Sequence, residues 1–137
     1  MKYYIDTKIK AGFEDTVQLV RESLKEENFG VLTEIDIHEK LKEKLNVDFR
    51  KYKILGACNP PYAYKALQEE NKIGTMLPCN VIIQELDNNE IEVAAVDPVA
   101  SMKAVENTEL GEIAAEIKIK LARVIENIKA RSQLVKE

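Results

Sequence analysis

Cys58 and Cys79 are the residues of this chain best suited to chemistry, and each is followed by an asparagine, Asn59 and Asn80. A cysteine reacts or ligates as its thiolate, so its surroundings decide whether it is active or inert. Asn59-Pro60-Pro61 reads as a helix start, with a capping residue followed by prolines where a missing N–H costs nothing. A helix N-terminus favours negative charge, which would lower the pKa of a neighbouring thiol. Cys58 ends a predicted strand and Cys79 opens another. If those strands are antiparallel neighbours, the two thiols fall close together. Residue parity places both on the apolar side, Cys58 with Tyr52 and Ile54, and Cys79 with Leu77, Val81 and Ile83. Such a pair admits a redox dithiol, a sulfur carrier or metal ligands. It equally admits two small hydrophobes in a core. As metal ligands Cys58 and Cys79 are incomplete, because zinc wants four ligands or three and a water.

The sole histidine, His38, is expected at a solvent-facing helix start. A strand separates it from Cys58, about 20 Å at ~3.3 Å per residue. That weighs against a Cys–His catalytic pair and hence against an enzyme with a cysteine nucleophile. The sequence carries no glycine-rich phosphate loop, serine-triad motif or helical metal motif. Gly56 and Gly74 near the cysteines would leave room for a cavity, unless an aromatic such as Phe13 or Tyr62 fills it.

The elements that position these residues follow from periodicity. Tyr3, Ile5, Thr7 and Ile9 alternate with Lys2, Asp6, Lys8 and Lys10, which is a strand. Phe13, Val17, Val20 and Leu24 share one face of a helix over about 13–26. Residues 29–37 alternate as a second strand, and Asp36 is placed to cap a short helix bearing Leu41 and Leu45. Residues 52–58 form a third strand, and the helix after the prolines runs to about 71. Strands over 77–86 and 90–96 make a hairpin across Asp87-Asn88-Asn89. Asp97-Pro98 starts another helical turn. Thr108 is expected to cap a final helix over about 108–134. Its stripe runs through Leu110, Ala114, Ile117, Leu121, Val124 and Ile128.

The chain has 137 residues, of which 45% are hydrophobic and 32% charged, so one domain over 1–137 is expected. Twenty Lys and Arg against 24 Asp and Glu leave a net charge of −4, which argues against nucleic acid as a partner. No apolar run is long enough to span a membrane, and the N-terminus does not resemble a secretory signal. A cytoplasmic location without a membrane partner is the resulting expectation.

The stretches GACNPPYAYKAL (56–67) and GTMLPCNVII (74–83) resemble the bacterial and archaeal family called domain of unknown function 302. Its members carry GACNP and LPCNV segments, matched here by Gly56-Ala57-Cys58-Asn59-Pro60 and Leu77-Pro78-Cys79-Asn80-Val81. Phe29-Gly30-Val31, Asp97-Pro98 and Met102 also look like the family. The resemblance is strongest over about 13–104, leaving the final helix outside. It implies an α+β, TATA-binding-protein-like two-layer fold, with an antiparallel sheet of about five strands packed against helices. It implies no DNA binding, because function belongs to sites. Any family site would fall on Cys58, Asn59, Cys79 and Asn80. An association of some members with sulfur metabolism makes a small-molecule or sulfur-species ligand a candidate.

Three functions stay open: a ligand-binding or thiol-redox module, a cysteine-dependent enzyme of sulfur chemistry, and an interaction protein with core cysteines. The sequence does not name a cofactor. A homodimer is expected through the sheet or the final helix. A helix of about 40 Å at ~1.5 Å per residue overshoots a domain of this size, and its stripe would need cover.

Overall fold

A computed structural model describes residues 2–135. Five strands form one antiparallel sheet in the order β1-β5-β4-β3-β2. They are β1 (Tyr4–Ile9), β2 (Gly30–Asp36), β3 (Tyr52–Cys58), β4 (Cys79–Glu85) and β5 (Ile91–Val96). The helices are α1 (Phe13–Glu26), α2 (Ile37–Leu45), α3 (Pro60–Glu69), the short α4 (Pro98–Ser101) and α5 (Thr108–Val135). A 3-10 turn, Ile73–Met76, which periodicity did not anticipate, leads into β4. The α+β architecture with a long final helix is the one expected.

Strand pairing shows which side chains share a face. Ile5, Thr7 and Ile9 stand opposite Ala95, Val93 and Ile91, and Val81 and Ile83 stand opposite Ala95 and Val93. Leu55, Val81, Ile83, Val93 and Ala95 are buried on this side. Phe13, Val17, Val20 and Leu24 of α1 meet them, with Leu110, Ile117, Leu121, Val124 and Ile128 of α5. Helices α1 and α5 also pack on each other. The α5 stripe is therefore consumed inside its own chain, and Leu121, Val124 and Ile128 have no exposed surface. The stripe needs no second copy to cover it, because the sheet and α1 supply the burial.

Local details depart from the sequence reading in instructive ways. Asp36 makes no cap hydrogen bond; its carboxylate pairs with Lys53 at 3.4 Å. Asn107, not Thr108, caps α5, accepting from the Leu110 N–H at 3.0 Å. Asp97 does cap α4, accepting from the N–H groups of Val99 and Ala100. Burial tends to raise the Asp97 pKa, but the Lys118 ammonium at 2.9 Å and these N–H donors bring it below its ordinary value. In β2 the register shifts between Val31 and Thr33. That bulge changes the phase of the strand, so Val31 faces the helices while Thr33 and Ile35 face away. Among the described residues, no helix is long and apolar enough to cross a membrane.

Candidate functional site

The helices cover one side of the sheet, and the other side is open. On the open side Tyr4, Asp6 and Lys8 of β1 oppose Val96, Ala94 and Glu92 of β5. Asn80, Ile82 and Gln84 of β4 continue the face, followed by Gly56, Ile54 and Tyr52 of β3. A groove of about 380 Å³ lies here, lined by Tyr3, Tyr4 and Tyr52 around a floor of Ile82, Ala94 and Val96. Asn80, Gln84 and Glu92 supply its polar groups. Ligand sites typically fall between about 300 and 1,000 Å³, and this groove has that size, with a lining that mixes polar and apolar groups.

The polar groups form a relay across the face. Arg50 Nε donates to Gln84 Oε1 at 2.9 Å, and Gln84 Nε2 donates to Glu92 Oε1 at 2.8 Å. Burial pushes the Glu92 carboxyl above the ordinary carboxylate range, and the Asp6 carboxyl beside it pushes the same way. Glu92 is thus orientated at one end of the groove and holds a proton more readily than a solvated carboxylate.

The four expected site residues are divided. Asn80 is exposed on the open face and lines the groove. Asn59 is buried and makes no side-chain cap bond to α3. Its Nδ2 donates instead to the Glu27 carbonyl at 3.2 Å, tying the α3 start to the end of α1. Cys79 is buried on the helix-covered side beside Val81 and Ile83. Cys58 is half-buried at the end of β3.

The expected cysteine pair is not seen, and the reason is the pleat. Cys79 stands opposite Ala57, so Cys58 is one position beyond the pair and the pleat turns it away from the position that faces Cys79. Both thiols are free. The parity reading of β3 was inverted: Leu55 and Ala57, not Tyr52, Ile54 and Cys58, face the core. Both cysteines border a crevice of about 20 Å³, room for a single water at most. Burial, with a smaller contribution from Cys58, pushes the Cys79 thiol up to about 11. No group of three or more His, Cys, Asp and Glu side chains suited to a metal ion occurs among the described residues.

The room expected beside Gly56 is taken. A Cβ there would meet the Thr33 hydroxyl and lie 2.7 Å from Pro78 Cγ. Neither Phe13 nor Tyr62 fills this space. His38 is half-buried, not solvent-facing; its Nδ1 accepts from the Tyr52 N–H at 3.0 Å, fastening α2 to the end of β3 farthest from Cys58. The groove residues Tyr4, Tyr52, Gln84 and Glu92 escaped the sequence reading. For Tyr4, Gln84 and Glu92 the signal was the polar side of an alternating strand, which ordinarily marks a solvated face; Tyr52 carried none, because its parity in β3 reads as core.

Fold and groove together define an α+β protein whose helices cover one side of an antiparallel sheet and leave a lined hollow on the other. The chain belongs to the family Domain of unknown function DUF302, whose model matches residues 5–128. The match takes in most of α5, which the resemblance had left outside. The chain is also similar to the crystal structure of an uncharacterized conserved DUF302 protein from Bacillus stearothermophilus. The two share 31% identity and a TM-score of 0.86, over 93% of this chain and 99% of that one. No curated protein matches.

Proposed function

We propose that this protein is a small-ligand binding module that uses the open face of its sheet, and that its cysteines serve packing. The groove over β3, β4 and β5 carries this reading: three tyrosines surround an apolar floor, with Asn80, Gln84 and Glu92 at hydrogen-bonding positions. Aromatic walls favour a flat, largely apolar molecule, and the carboxyl and amide acceptors favour one with N–H donors. Thiol-redox or sulfur-transfer chemistry has less support, because a buried thiol with a raised pKa is a poor nucleophile.

The chain contains no tryptophan, so an indole probe can be followed by its own fluorescence. Tryptamine added to the protein is expected to show raised anisotropy, and to shift the amide NMR signals of Asn80, Ile82 and Ala94. Ala94→Phe, which fills the floor without adding an indole, is expected to abolish both while leaving the fold intact. Absence of binding at millimolar tryptamine, or shifts centred on Cys79, would reject the groove as the site.

A further inference from the structure

We propose that the groove recognises a flat lactam through a donor on Gln84 and an acceptor on Glu92, set side by side, with Arg50 as the positioning residue that fixes them. This rests on the groove being the binding site and names the class of its ligand. Gln84 and Glu92 stand directly opposite each other in the β4–β5 ladder. The next pair on the same face is Ile82 and Ala94, about 7 Å further along the strands. A polar edge therefore adjoins the apolar floor. A glutamine amide can be turned either way, and its partners decide which end is oxygen. Here Arg50 decides. A guanidinium has N–H donors and no acceptor, so the Gln84 atom 2.9 Å from its Nε is the oxygen. Gln84 Nε2 then faces Glu92 Oε1 at 2.8 Å and donates one hydrogen to it. Arg50 is itself held: its guanidinium lies 4.3 Å from the Phe49 ring centroid, and Phe49 leans on the Tyr52 ring at 6.2 Å.

What remains unspent selects the ligand. The second Nε2 hydrogen of Gln84 has no protein acceptor among the described residues. Glu92 keeps lone pairs beyond the one that Gln84 takes. Its neighbour on β1 is the Asp6 carboxyl, another acceptor, and Lys8 acts on it only at a distance. An N–H beside a carboxylate oxygen is the complement of a C=O beside an N–H, which is the cis-amide edge of a lactam. The lactam C=O accepts from Gln84, its N–H donates to Glu92, and the ring extends over Ile82 and Ala94 between the tyrosines. An indole N–H satisfies Glu92 alone, and a ring nitrogen without hydrogen satisfies Gln84 alone. A site with both partners fixed discriminates against a ligand that leaves one of them unpaired.

The test uses 2-quinolone, a fluorescent fused-ring lactam, against 1-methyl-2-quinolone, whose methyl group replaces the N–H. Anisotropy titrations of the full chain are expected to give about tenfold tighter binding of 2-quinolone, the worth of one hydrogen bond. Gln84→Glu, nearly the same shape, replaces the donor by an acceptor and is expected to weaken 2-quinolone by about tenfold. Arg50→Ala frees the Gln84 amide to turn and is expected to abolish the preference between the two probes, with Arg50→Lys restoring part of it. A merely structural role for Arg50 would weaken both probes together and keep their ratio, which would remove it as a positioning residue. Equal binding of the two probes by the parent protein overturns the lactam assignment and leaves the groove standing. Binding of tryptamine with neither quinolone bound does the same. Failure of all three probes overturns the groove as well.

Discussion

Cys79 stands directly opposite Ala57 in the β3–β4 ladder, and Cys58 is the next residue along β3. One step of the pleat separates a thiol inside the core from a thiol at the strand end.

This arrangement sets a pH dependence. The folded state holds the Cys79 pKa at about 11, against an ordinary value of 9.0. A raised thiol pKa means that the folded protein binds this proton more tightly. Stability from this group is full below pH 9 and falls as pH rises towards 11, by about 3 kcal/mol in all. Urea melts across that window are expected to show the fall, and Cys79→Ala to remove this part of it. At neutral pH, iodoacetamide should label Cys58 well before Cys79; equal rates would contradict the burial argument.

A second prediction concerns Lys53, whose side chain is 9% exposed and lies 2.6 Å from Glu34 and 3.4 Å from Asp36. Its hydrogen bond, followed by that of Arg21, holds the Glu34 carboxyl below its ordinary range. A lowered carboxylate pKa contributes stability above the unfolded value, and that stability is lost as pH falls through the folded value. Lys53→Ala leaves two carboxylates facing each other, at a cost of about 1–3 kcal/mol. Lys53→Met keeps the packing and should cost less at neutral pH. It should also flatten the acid limb of the stability curve, measured by thermal melts from neutral to low pH.

At Gly56, substitution by alanine drives a methyl group against Thr33 and the Pro78 ring. Overpacking of this kind costs about 1–3 kcal/mol. The double variant with Thr33→Ala should be more stable than the sum of the single effects, because the methyl then enters vacated space. Strict additivity in denaturant melts would remove the contact from the account.

Asn59→Ala takes the donor from the Glu27 carbonyl and should destabilise by about 1 kcal/mol. Asn59→Asp places a charge there without a donor and should cost more. Faster hydrogen exchange at the start of α3 is the local readout, and unchanged exchange in both variants would count against the tie.

Alternation and capping signals in the chain were enough to locate the strands, the hairpin, the Asp97 cap and the α5 stripe, because these rest on local spacing. They also placed Cys79 inward, since Asn80 and Gln84 mark the polar side of β4 clearly. In β3 both parities are apolar, with Tyr52, Ile54 and Cys58 on one and Leu55 and Ala57 on the other. Alternation cannot choose between two apolar sides of a central strand. The choice was made by where α1 and α5 pack, which joins residues far apart in the chain. The bulge in β2 is likewise invisible locally, since it exists only against the register of β3. The groove has the same origin: Tyr4, Tyr52, Gln84 and Glu92 come from four different strands, and pairing in the sheet is what makes them neighbours.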